Sequence, residues 1–387
     1  MTSPKETFDT DLPGLDGSNP LGFLASLGVL AELSASQSSG VWMSWHVLNG
    51  GWRPRLHTCE RLAPDAIAKR LAEQLRLGRA TVSSEGESEK SLAVADKAHM
   101  SAKKRLKDKL DEIKKRKLRG KERDQAIEFE TRDLVASRNQ KRDEWLRLLK
   151  QSSPSPELAL GKDPAALQDH FRLTAQEVVA DVTPANRACA DLMASFGCDA
   201  IVDTKTNKVR TTSFCFVTGS GWQYFLQNVR ELLGRVDSLR IFQALFEPRP
   251  HADEKLSMRW DPIEDRRYAM MWSDPTSSGN EAKTNWALNL LAYRGLQLLP
   301  CVPTSRGVKT TGFSNHNRSP DWSWPIWSAC LSADTIRSLL ALHELQQTEP
   351  DRTSLSALGI VEVYRSSRIQ VGNPPLHKLN FAPARSG

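Results

Sequence analysis

Lys114, Lys115, Arg116 and Lys117 stand side by side, with Arg119 just beyond and Lys103, Lys104, Arg105 and Lys107 a few turns earlier. Four consecutive cations on a helix point in every direction, so no single protein face can neutralise them. A phosphate backbone can, and it gains affinity by releasing counterions. Between Lys103 and Arg123 there are 12 basic and 4 acidic residues. Residues 97–150 hold 19 lysines and arginines against 10 carboxylates, and the rest of the chain holds 34 against 36. The formal net charge of +7 is therefore a local property of one segment. A concentrated cationic arm on a near-neutral protein suits a polyanion. The competing expectation is a solvated helical pair laced by the i,i+4 pairs Lys104–Asp108, Lys107–Asp111, Asp111–Lys115 and Glu112–Arg116.

Two weaker candidates lie further on. In the loop KTTGFSNHNRS, Lys309, Asn315, Asn317 and Arg318 are side chains that read base edges or grip phosphates. The adjoining Phe313, Trp322, Trp324 and Trp327 can stack on bases, or they can belong to an aromatic core beside a polar turn. Arg365 and Arg368 in the last strand are a third phosphate candidate.

Signatures of catalysis are missing. The chain has no phosphate-binding G-x-x-x-x-G-K-[ST], no G-x-G-x-x-G after a strand, no H-E-x-x-H and no G-x-S-x-G. Asn315-His316-Asn317 lacks the spaced metal ligands of an HNH nuclease, and Asp169-His170 reads as a surface pair. A nuclease would have to assemble acids such as Asp199, Asp203, Asp265 and Glu362 through the fold. The six cysteines contain no C-x-x-C pair, which fits reduced, mostly buried thiols rather than a zinc site or disulfides. No cofactor or metal is expected. With no apolar run near membrane-spanning length and a polar N-terminus, a cytoplasmic location is expected.

The elements that would position these residues form an α+β pattern, a mixed body with an inserted, projecting antiparallel helical hairpin. The expected parts are 1–90 with a strand hairpin, 91–150 as the basic helical hairpin, and 151–387 as a second α+β part. Ser18 or Asn19 caps a helix that Pro20 opens, and Gly22 and Gly28 within it imply close packing. VWMSWHVL and WRPRLH flank Asn49-Gly50-Gly51, a hairpin signal. A helix follows over 64–77. The 91–150 helices, each about 40 Å long, share a thin apolar stripe of Leu106, Leu110, Ile113, Ile127, Leu134, Trp145 and Leu148 around Gly120. Later helices are expected near 164–180, 222–233, 238–246, 281–296 and 333–345. Strands are expected at VRTTSFCFV, RYAMMW and IVEVYRSSRIQV, and DWSWPIWS reads as an irregular aromatic patch.

The opening LDGSNPLGFLASLGVLAEL with its Trp-containing hairpin resembles subunits of type I-G (formerly I-U) CRISPR interference complexes. So do NWALNLLAYRGLQLLPCVPT, TTGF and WPIWSACLSADTIRSLL further on. The resemblance rests on packing residues, and the charged insertion has no counterpart in it. It implies a large-subunit-like component of a Cascade-type complex, not itself an enzyme, with a helicase-nuclease recruited in trans. The expected function is a non-catalytic nucleic-acid-binding subunit of an RNA-guided antiviral effector, contacting guide RNA, target DNA and partner subunits. The alternatives are a nuclease with a fold-assembled acidic site and a protein-interaction scaffold.

Overall fold

The computed structural model describes residues 7–36, 40–77, 85–183, 186–217, 223–247, 251–264, 283–314, 319–371 and 378–386. From the N-terminus come β1 (Phe8–Asp11), α1 (Pro20–Ser36), β2 (Val41–Leu48), β3 (Gly51–Thr58) and α2 (Pro64–Leu77). The long helices α3 (Glu85–Lys115) and α4 (Gly120–Ser152) follow. Next are α5 (Gln168–Ala180), α6 (Arg187–Phe196), β4 (Gly197–Asp203), β5 (Lys208–Thr211), α7 (Phe225–Arg235), α8 (Ser238–Phe246) and α9 (Trp286–Gly295). Then come β6 (Cys301–Thr304), β7 (Gly307–Thr310), β8 (Phe313–Ser314), β9 (Asp321–Trp327), β10 (Leu331–Ser332) and α10 (Ala333–Leu340). Last are α11 (Arg352–Ala357), β11 (Ile360–Val371), β12 (Lys378–Phe381) and β13 (Arg385–Ser386). The fold is α+β. Residues 1–78 and 162–387 form one compact unit, the body, and residues 79–161 form the other.

In the body, Asn19 Oδ1 accepts the amides of Leu21 at 2.8 Å and Gly22 at 3.4 Å, capping α1 just ahead of Pro20. α1 is buried from Pro20 to Leu33 and packs on α9. Their approach is set by glycines: a Cβ on Gly28 would lie 1.8 Å from the Leu291 carbonyl oxygen. A Cβ on Gly295 would lie 2.2 Å from that of Leu24. β2 and β3 pair through a turn in which Asn49 and Gly50 both have positive φ, as a type I′ hairpin requires. The first sheet runs β1-β3-β2-β10 and the second β12-β11-β9-β8, all antiparallel, with β13 also paired to β11.

Residues 1–90 and 151–387 are thus not separate parts. α1 packs on α9 and β2 pairs with β10, so the segments before and after the insertion in sequence build one core. DWSWPIWS is not an irregular patch either. It is the strand β9, buried at every position, and its Trp322, Trp324 and Trp327 gather round Phe23. Pro325 is tolerated because β8 pairs only as far as Trp322, so no ladder amide is needed there on that side. VRTTSFCFV is a strand only to Thr211; Phe214 to Val217 are buried in irregular backbone. β11 covers IVEVYRSSRIQV in full, whereas RYAMMW lies outside the described residues. All six cysteines are free, and against the expectation of mostly buried thiols only Cys215 and Cys301 are buried, Cys59, Cys189 and Cys198 being partly exposed and Cys330 exposed.

In the other unit, α3 and α4 pair antiparallel. At about 1.5 Å per residue they run about 46 and 50 Å, longer than expected. Leu106, Ile113, Trp145 and Leu149 are buried. Leu110 is exposed instead, and Leu149 takes the place expected of Leu148. The His99 ring stacks on Trp145 with centroids 5.5 Å apart. Lys117, with φ of 56°, turns the chain between the helices, and Gly120 opens α4. No described helix is long and apolar enough to cross a membrane.

Candidate nucleic-acid interface

The paired helices sort their charges onto two sides. On one side Arg116 donates to Glu130 at 2.6 and 2.7 Å and to Glu112 at 3.0 Å, while Lys109 reaches Glu112 and Glu130 at 3.1 and 3.0 Å. These contacts raise the Arg116 and Lys109 pKa values and hold Glu130 down at about 2, the Arg116 hydrogen bonds acting most strongly. These four charges neutralise one another.

The rest do not. Lys103, Lys104, Arg105, Lys107, Lys114, Lys115, Lys117 and Arg119 are all exposed, and none forms an ion pair with a described residue. Of the four expected i,i+4 pairs only Glu112–Arg116 forms. At about 100° per residue, Lys103, Lys107 and Lys114 fall within about 40° of one another on α3, in a row about 16 Å long. Arg116 meets Glu130, so in an antiparallel pair Lys114 lies level with Arg132. Lys121 and Arg132 share one flank of α4 by the same periodicity and form no ion pair with a described residue. Both helices direct these five cations to the side opposite the Arg116–Glu130 contacts. Arg132 and Lys121 were not among the cations singled out from their spacing, because the pairing register that places them rests on Glu130, 14 residues from its partner.

The weaker candidates fare differently. Lys309 is exposed on β7, whereas Asn315, His316, Asn317 and Arg318 lie outside the described residues. Phe313, Trp322, Trp324 and Trp327 are core side chains, at most 4% exposed, and present no ring to a base. Arg365 is no phosphate ligand: it is 6% exposed, and its guanidinium donates to Ser323 Oγ at 3.0 Å and to the carbonyls of Gln347 and Thr348. Arg368 is half-buried over the Phe216 ring, 5.2 Å from its centroid, and burial lowers its pKa.

The acids weighed for a nuclease are engaged separately. Asp199 accepts from Arg172 at 2.8 Å, Asp203 caps the turn before β5 through Lys205 and Thr206, and Glu362 pairs with Arg352 at 3.2 Å. Asp265 lies outside the described residues. Among the described residues no group of three or more His, Cys, Asp and Glu is placed to hold a metal ion.

One polar network escaped sequence reasoning because three strands supply it. Ser44 Oγ lies 2.8 Å from His57 Nε2, and His57 Nδ1 lies 2.7 Å from Asp9 Oδ1. The carboxylate accepts the Nδ1 proton, which leaves Nε2 of a neutral ring to accept the Ser44 hydroxyl. The order is that of a nucleophile, its base and the base's anchor. Yet Ser44 is 7% exposed in mid-strand. Of the two clefts described in the body, one is lined by Arg240, His251 and Asp253 and the other by Asp9, Asp11 and Arg61; Ser44 lines neither. The network, with Arg55 on Asp11 at 2.6 Å, fastens the short edge strand β1 to β3 and β2.

No protein-family model matches the chain, and no curated protein gives a significant match.

Proposed function

We propose that the protein is a nucleic-acid-binding subunit whose paired helices α3 and α4 grip a phosphate backbone. One observation carries this: eight of the nine basic residues singled out between Lys103 and Arg119 are exposed and unpaired with any described residue, although acids stand within reach along the same helix. Cations left open in this way gain binding free energy from the counterions that a polyphosphate releases. The grip is one of binding and calls for no chemistry from the hairpin. The resemblance of the N-terminal and Trp-Pro segments to type I-G interference subunits supports a setting in an RNA-guided effector, with guide RNA, target DNA and other subunits as partners.

Reversal of Lys103, Lys107 and Lys114 to Glu tests the proposal in a gel-shift titration with DNA and RNA oligonucleotides. Binding should fall by at least tenfold while circular dichroism stays unchanged. Unaltered binding would favour the scaffold alternative, in which the same cations meet an acidic protein.

A further inference from the structure

Phe129 is 88% exposed, the most exposed of the large apolar side chains described, yet it stands in the first third of a strongly charged helix. Neither helix needs it for packing, since the interface is served by Leu106, Ile113, Thr131, Trp145 and Leu149. Its neighbours on the helix surface leave room around the ring. Ala126 at i−3 and Ala136 at i+7 are small, Gln125 at i−4 is polar, and Arg132 at i+3 belongs to the unpaired cationic row. Asp133 at i+4 lies on the far side from that row. An exposed ring beside the unpaired Arg132 offers what an unstacked base needs: a flat apolar face within reach of a charge for its phosphate. A duplex buries its base faces in its own stack and has no use for such a ring.

We infer that the ligand of the α3–α4 unit is single-stranded nucleic acid, its backbone following Lys103, Lys107, Lys114 and Arg132 and one base stacking on Phe129. The inference rests on the proposed function and adds the class of ligand. Along the row, Lys103 and Lys107 are about 6 Å apart in rise, and Lys107 and Lys114 about 10 Å. A flexible single strand can adjust its phosphates to such uneven spacing.

The experiment compares wild type, Phe129→Ala, Phe129→Trp and the Lys103/Lys107/Lys114→Glu variant, each as the full chain, by fluorescence anisotropy with oligo(dT) and with a hairpin duplex of equal phosphate number. Because Phe129 is exposed, its replacement should leave the thermal midpoint in place. Phe129→Ala is expected to weaken oligo(dT) binding by about 5- to 150-fold, as loss of one stacked base does. It should leave duplex binding unchanged, and Phe129→Trp should bind oligo(dT) as well as wild type. If Phe129→Ala changes neither affinity while the lysine variant loses both, the stacking inference is overturned and the phosphate grip stands. Equal loss on both ligands for Phe129→Ala also overturns it. Full retention of binding by the lysine variant overturns the proposed function itself.

Discussion

Replacing Lys103, Lys107 and Lys114 together by Gln removes charge without adding any, and the salt dependence of binding then counts contacts directly. The structure places five cations, none paired with a described residue, on one side of the helical pair: Lys103, Lys107, Lys114, Lys121 and Arg132. If each neutralises one phosphate of a single strand, the logarithm of the binding constant falls against that of salt with a slope of about −3.5. The triple variant keeps two contacts, for a slope of about −1.4. Between 50 and 200 mM salt, wild-type affinity should therefore drop about 130-fold and that of the variant only about 7-fold. Arg116→Gln is the internal control. Arg116 stands in the same run of four basic residues, but Glu112 and Glu130 already hold it, so its loss should leave the slope near the wild-type value. Anisotropy titrations at four salt concentrations supply the slopes. Identical slopes for wild type and the triple variant, or a slope lost with Arg116→Gln instead, would refute the assignment of the binding side.

Two further outcomes concern the body. Glu264 is fully buried beside Asp261, and burial, with the Asp261 charge second, pushes its pKa up to about 7. Its folded-state value lies above its unfolded one, so its contribution to stability is complete below about pH 4.5 and declines as pH rises to 7, by about 3 kcal/mol. Denaturant midpoints across that window should fall more steeply for wild type than for Glu264→Gln, and parallel profiles would contradict the burial argument. Gly28→Ala drives a methyl group into the Leu291 carbonyl and should cost about 3 kcal/mol or more, read as a lowered thermal midpoint, whereas Gly50→Ala meets no atom and is penalised only by its positive φ.

What the sequence made legible was whatever a few neighbouring residues decide. Asn19-Pro20, Asn49-Gly50 and the alternation in IVEVYRSSRIQV fix their elements locally, and those elements stand where expected. The basic helices were visible for the same reason, through charge density and a thin apolar stripe. What stayed hidden depends on partners far along the chain. DWSWPIWS read as an irregular patch, yet its Pro325 fits a strand because β8 stops short of it. Arg365 looked available for phosphate, but the backbone at Gln347 and Thr348 folds over its tip. Arg116 looked equivalent to its lysine neighbours until Glu130 singled it out. Periodicity named the cations, and only the register of α3 against α4 divided them into held and free.

Because α3 and α4 run in opposite directions, the chain comes back at Ser152 to the end of the pair from which it set out at Glu85. A pair built in this way can grow, shrink or exchange its charges by whole turns without carrying its two ends apart. Reach and grip are in this way free to change under selection separately from the tryptophan-lined core.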